Sequence, residues 1–437
     1  MIDKLLITPF QKFVKIESFS GILLFTATLI AIIWANSPLS HLYESLWQYK
    51  IGINSATFTL SKPLLLWIND GLMAVFFFLI GLEIKRELLI GELNTLRKAS
   101  FPFFAALGGI IVPVALFFLL NDNRSTSNAW GVPMATDIAF SLAILNLLGK
   151  RIPIGLKIFL TAFAIVDDLV AVSVIAIFYS GDIQWILLAY AAIPFAFLVF
   201  LSVKRIYFPY FVFMIGVLIW FLFLKAGIHP TVAGVLMALT IPIRQKIDVK
   251  TYSDKLLGIA NDIDKSCNNT PILSNHQIEQ IDNLEDWTQK VQSPLQHLEH
   301  KLHNWVAYFI MPVFALANAG ISFSGEMNLE TPLVINITLC LIIGKSIGIS
   351  LMSFIGIKLK LSELPQGVNK LQILGISFLA GLGFTMAIFI ANLAFVSKPE
   401  FIDSAKIGIL IGSFVAGLIG YLILRFTKSS DSTQTEE

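Results

Sequence analysis

Charge is scarce in this sequence: Asp, Glu, Lys and Arg make up only 14% of 437 residues, against about a quarter in a typical soluble domain. A water-soluble globular fold is thereby excluded. Cysteine is nearly absent. Cys267 lies in a polar stretch and Cys340 in an apolar one, so there is no disulfide framework. No basic tract occurs and the formal net charge is +2, which leaves no nucleic-acid partner. The alternating ten-residue strands of a membrane barrel are missing as well. What is present is hydrocarbon: 56% of the residues are apolar and the mean hydropathy is +0.77. Those residues come in runs of about 17 or more, enough for a helix to cross ~30 Å of lipid. The chain reads as an all-α membrane protein.

Approximate spans fall at 18–35, 63–84, 101–120, 128–148, 153–179, 184–203, 207–224, 227–243, 303–321, 333–357, 371–397 and 404–426, about twelve in all. The first run follows Lys4, Lys12 and Lys15 and is long for a signal sequence, so it reads as a retained helix behind a cytoplasmic segment 1–17. With both termini cytoplasmic, the outside loops hold only Lys50, Lys62, Arg124, Lys225, Lys398 and Lys406. Apart from Lys345, in mid-helix, every other Lys and Arg falls inside, as the positive-inside rule requires.

The chain then divides into helices 1–8 over 18–243, a cytoplasmic insertion at 244–300, helices 9–12 over 301–427 and a disordered tail at 428–437. Between helices one and two, residues 50–54 and 57–61 alternate about a Ser55-Ala56 turn, a pattern that fits an ordinary irregular loop and equally a small periplasmic β-hairpin. Its open edges suggest pairing with a second protomer. Within the insertion, Ile278, Ile281, Leu284, Val291, Leu295 and Leu298 follow a helical period opposite Glu279, Asp282, Glu285 and Asp286. This predicts an amphipathic helix interrupted at Pro294.

The informative residues are charges at lipid depth. Asp137, Asp167, Asp168 and Lys345 each fall near the middle of a span, where each costs roughly 2.5–3.5 kcal/mol. A closed structural network would balance its charges, because an unpaired buried charge is strongly unfavourable. Three acids to one base call for a neutralising proton or cation. Pro133 just before Asp137, and Gly375, Gly381 and Gly383 around Phe384-Thr385, predict breaks in helices 4 and 11. Helices 3–5 and 10–12 then form equivalent triplets of opposite orientation.

The stretches Trp130-Gly-Val-Pro-Met-Ala-Thr-Asp-Ile-Ala-Phe140, Ile165-Val-Asp-Asp-Leu169, Ile343-Gly-Lys-Ser-Ile-Gly348, Ala226-Gly-Ile-His-Pro-Thr-Val-Ala-Gly234, Leu298-Glu-His-Lys-Leu-His-Asn-Trp305 and Met311-Pro-Val-Phe-Ala-Leu-Ala-Asn-Ala-Gly320 resemble the NhaA-type sodium/proton antiporters, in order, from about residue 10 to 427. The resemblance implies inverted-topology repeats with discontinuous helices 4 and 11. It implies Asp167 and Asp168 as the cation- and proton-binding pair, with sodium or lithium held there. Asp137 and Thr136 would stand where the broken helices cross, and Lys345 would pair with Asp167. Glu83, Arg86, Glu87, Glu299, His300, His303 and His229 match positions linked to pH response. The family carries Na+, Li+ and H+ without a cofactor, two protons for one sodium, in the bacterial inner membrane, and supports salt tolerance. The long insertion, and Ser346 where proline is common, depart from the family pattern.

From the residues themselves, one site would bind a cation or protons in turn. Carboxylates, the Thr136 hydroxyl and freed carbonyls are the hard oxygen ligands that sodium prefers, and adjacent Asp167 and Asp168 titrate as a unit. Neighbours on a helix point about 100° apart, so one can face the cation and the other Lys345. An intramembrane aspartyl protease would need a Gly-x-Gly-Asp motif, which is missing, and no Ser and His pair lies at depth for a serine protease. The chain reads as a secondary transporter, not an enzyme. A carrier of an organic solute on the same fold is the alternative, and it would require a larger cavity.

Overall fold

A backbone immersed in hydrocarbon must satisfy its own N–H and C=O groups, and this chain does so by being helical over most of its length. The computed structural model describes residues 9–54, 59–91, 93–204, 206–245, 247–265, 272–323, 329–365 and 367–427. Residues 1–8, the hairpin turn at Ser55-Ala56, Cys267 and the tail from 428 lie outside them.

Among the described residues, seven helices are long and apolar enough to cross a bilayer: Leu64–Leu89, Arg97–Leu120, Ile154–Phe178, Trp185–Val203, Pro209–Ala226, Thr331–Lys358 and Pro399–Phe426. The number rises to ten if each of three bent pairs counts as one span. The twelve expected runs are all at least partly helical, yet not all are full spans. The eighth contains only the short Thr231–Thr240 helix. The ninth is assembled from Pro294–Trp305, a π-helical turn at Val306–Ile310 and Met311–Asn318, with its charges gathered in the first piece. After Ala35 the chain turns by 112° into a helix at Ser40–Gln48, within what the sequence reading treated as loop. Tyr43 anchors that helix, its hydroxyl donating to Leu316 O at 2.8 Å.

Two strands, β1 (Lys50–Asn54) and β2 (Thr59–Pro63), pair antiparallel from Lys50↔Pro63 to Asn54↔Thr59. The pair is fixed to the bundle where Trp67 Nε1 donates to Ile51 O at 2.9 Å. On the other side of the sequence midpoint, the amphipathic expectation covered one helix, but two are present, Val249–Lys265 and Asn275–Val291. Tyr252 and Thr288 share a hydrogen bond of 3.0 Å, and the ammoniums of Lys255 and Lys290 lie 5.5 and 5.6 Å from the Trp287 ring. Pro294 then opens the next helix behind a Ser293 cap.

A long helix, a broken helix and a long helix occur twice. The first set is Arg97–Leu120, Arg124–Met134 with Ile138–Leu147, and Ile154–Phe178. The second is Thr331–Lys358, Lys370–Leu379 with Phe384–Ala394, and Pro399–Phe426. Both broken helices bend by 46°. Ile154–Phe178 and Thr331–Lys358 are the most enclosed, 61% buried, whereas Trp185–Val203 and Pro209–Ala226 are 11% buried and form the periphery. Between the two sets, Gly108 and Gly348 bring the Arg97–Leu120 and Thr331–Lys358 helices into backbone contact. A Cβ on either glycine would stand about 2 Å from the other's carbonyl oxygen, so no larger residue fits.

Candidate functional site

Lipid depth, helix breaks and one π-helical turn together assemble the site. In the first broken helix, Pro133 lies inside the last turn of a 3-10 stretch that ends at Met134, and Ala135–Asp137 run extended before Ile138. In the second, Gly381 admits the backbone of its neighbours, since a Cβ there would lie 2.4 Å from Leu341 O. The breaks interlock. Asp137 N donates to Leu382 O at 2.6 Å, Thr136 Oγ1 to Ala380 O at 3.1 Å and Ser141 Oγ to Leu379 O at 2.8 Å.

Asp137 is held at this crossing by the first turns of both half-helices. Its Oδ1 accepts from Phe140 N at 3.2 Å, capping its own helix. Its Oδ2 accepts from Thr385 N at 3.2 Å and Thr385 Oγ1 at 2.5 Å, capping the other. Two helix N-termini, each worth about half a positive charge, thus balance one carboxylate. Asp137→Ala is expected to lower stability by about 1–4 kcal/mol, two caps at roughly 0.5–2 kcal/mol each. Asp137→Asn should lose less, because its amide oxygen still accepts. Thermal unfolding in detergent measures both, and equal losses would contradict the double-cap role.

Lys345 follows a π-helical turn at Cys340–Gly344 and is fully buried. Such a turn widens the helix by one residue and is common at functional sites. The ammonium donates to Asp167 Oδ2 at 3.0 Å and to Thr136 Oγ1, and lies 5.8 Å from the Phe163 ring. Asp167 Oδ1 is buried and accepts no hydrogen bond.

Asp168, one residue on, points elsewhere. It makes no side-chain hydrogen bond or ion pair among the described residues, and it lines a cavity of about 80 Å³. Glu83, Thr136, Asp137, Thr161 and His303 line the same cavity. The charge accounting therefore leaves one carboxylate over. Lys345 offsets Asp167, two half-helices offset Asp137, and only Asp168 faces open space without a partner.

At the Glu83 end of the cavity, His303 Nδ1 approaches Glu83 at 4.0 Å. Arg86 donates to Glu299 and, at 2.8 Å, to Glu87. Five of the seven pH-linked positions are thereby brought together. His300 is exposed on the Pro294–Trp305 helix and, among the described residues, forms none of the cluster's ion pairs. His229 lies apart, near β2. Its Nδ1 is 2.7 Å from Thr231 Oγ1, and its Nε2 is 3.7 Å from Asp70, which pairs with Lys62 at 2.8 Å. Thr385 and Asp70 had no role in the sequence reading. The signal for Thr385 was its place just after a glycine-rich break, where a first helical turn begins. Asp70 offered none beyond its charge.

Residues 11–424 match the family described as Na+/H+ antiporter 1. The chain belongs to that family. It is therefore an integral membrane protein of a transporter family, not of an enzyme family. A protein of Oleidesulfovibrio alaskensis named Na(+)/H(+) antiporter NhaA is 48% identical over 433 residues, 97% of this chain and 95% of its own. Proteins of the same name from Bacteroides fragilis and Helicobacter pylori are 41% and 44% identical. The alignments cover 93% and 95% of this chain, and 95% and 94% of theirs.

Proposed function

We propose that this chain is a Na+/H+ antiporter of the bacterial inner membrane, exporting Na+ or Li+ in exchange for two protons per cation. The observation that carries this reading is the unpartnered Asp168 carboxylate on a small buried cavity, beside the neutralised Asp167–Lys345 pair. The names of its relatives support the same exchange. The described residues hold no cluster of three His, Cys, Asp or Glu able to hold a metal ion. A cation at Asp168 would thus depend on one or two carboxylates, the Thr136 hydroxyl and backbone carbonyls, a weak and low-charge donor set suited to a monovalent ion that must leave again. A cavity of about 80 Å³ is small beside the roughly 300–1,000 Å³ of a typical small-molecule site, which disfavours an organic solute.

In this reading sodium reaches Asp168 along the cavity from the Glu83–His303 end, displacing protons from the coupled carboxylates. Protons arriving from the other side displace sodium. Only the loaded states change facing. Two charges inward for one outward couple the exchange to membrane potential, at about 2.3 kcal/mol per net charge per 100 mV. Both termini and the 244–300 insertion would be cytoplasmic. Glu83, Arg86, Glu87, Glu299 and His303, with His300 and His229 further off, would set the pH response. The β1–β2 hairpin would pair with that of a second protomer.

The test is a pH gradient across everted vesicles. Adding Na+ or Li+ is expected to dissipate it, and adding K+ or choline is not. Because cation and protons compete, the half-saturating sodium concentration should rise as pH falls through the titration range, by about tenfold per pH unit for each proton displaced. A half-saturating concentration independent of pH would overturn the shared site. Sodium-driven uptake of an organic solute without gradient collapse would overturn the antiport.

A further inference from the structure

Away from the site, a groove of about 580 Å³ runs between the first helix (Pro9–Ala35), Ile138–Leu147 and the last helix (Ile402–Phe426). Phe25, Phe140, Leu382, Phe384, Phe414 and Tyr421 are among its walls, and nearly all of its lining is apolar. Water does not settle in so apolar a space. Left empty, the groove would forfeit dispersion contacts along all three helices. An acyl chain is the occupant a bilayer offers.

One end of the groove carries charge. Tyr421 closes it, and Arg425 folds back over that ring, 5.8 Å from its centroid, with a guanidinium N–H donated to Tyr421 Oη at 3.2 Å. Arg151 joins it by donating to Arg425 O at 3.2 Å. Both arginines are exposed and neither has a carboxylate partner among the described residues. Two uncompensated guanidiniums one turn beyond an apolar groove match a phosphodiester headgroup with its acyl chain. They favour a lipid of net negative charge over a zwitterionic one, which brings a cation of its own.

We propose that this groove is a binding site for one anionic phospholipid, its phosphate on Arg151 and Arg425 and one acyl chain along Phe25 and Phe414 to Phe384. The chain's inner end then lies against the crossing of the broken helices. Phe384 packs edge-on to Phe140 at 4.9 Å. Ser413, also in the groove wall, accepts from Gly383 N and Phe384 N at 3.2 Å each.

Native mass spectrometry of the full-length protein, exchanged from detergent into phosphatidylglycerol or phosphatidylcholine, tests binding without reference to ion exchange. A failure here therefore leaves the antiport reading untouched. Wild-type protein is expected to retain one phosphatidylglycerol in preference to phosphatidylcholine. Arg151→Gln with Arg425→Gln should weaken that retention roughly thirtyfold, at ~1 kcal/mol per basic residue. Leu418→Trp, which fills the groove from a lipid-exposed position, should expel either lipid. Arg97→Gln, at an arginine paired with Glu363 elsewhere, should change nothing. Retention unchanged in the double glutamine variant, or in Leu418→Trp, would overturn the proposal. So would a wild-type protein that retains neither lipid.

Discussion

Asp168→Asn is expected to reduce sodium-driven proton movement in everted vesicles to that of vesicles lacking the protein. Asparagine keeps the shape of the side chain and one oxygen, so the helix and the cavity persist. What disappears is the ability to alternate between a proton and a cation, and no neighbour substitutes for it. Asp167 is engaged by Lys345, and Asp137 by two helix caps. The same variant should unfold no more readily than wild type, since a neutral group at this depth removes a burden of roughly 2.5–3.5 kcal/mol. Loss of exchange with stability retained is the expected signature. Exchange that survives would exclude this carboxylate as the site.

Lys345→Met acts on stability as well as on exchange. Methionine fills most of the volume, but it leaves Asp167 deep in the bundle with no base opposite. Breaking one side of a buried ion pair costs about 3–5 kcal/mol. Replacing both members, Asp167→Asn with Lys345→Met, removes the stranded charge, so the double variant should be more stable than the single lysine variant. Unfolding of the two singles and the double closes a thermodynamic cycle with a coupling of a few kcal/mol. Equal stability of the Lys345→Met and double variants would show that the 3.0 Å contact carries no such weight.

The site was legible where residues violate their solvent. Asp137, Asp167, Asp168 and Lys345 stand out in any hydropathy reading, and Pro133 and the glycines around 381 mark backbone that cannot stay helical. The division of labour between Asp167 and Asp168 followed from helix geometry alone. Its assignment, Asp167 to the lysine and Asp168 to the cavity, needed the family resemblance first and the contacts afterwards. The π-helical turns at 68–72, 306–310 and 340–344 left no trace, because one extra residue in a helix barely disturbs an already apolar pattern. Length and hydropathy also merge what geometry separates. Among the described residues, seven to ten helices or bent pairs have membrane length where the sequence shows about twelve apolar runs. The helix at Ser40–Gln48 was missed because nine residues are too few to establish a period and polar and apolar residues mix along it, and its stability comes from Tyr43 reaching another helix.

At Gly108 and Gly348 the two repeats touch main chain to main chain. A joint without side chains has no rotamers to exchange, and it cannot slide without driving carbonyl oxygens into Cα hydrogens. Whatever rearrangement moves an ion from one face to the other must therefore treat these two helices as a single strut. The travel has to be absorbed at the bends of the two broken helices, where Asp137 and Thr385 already meet.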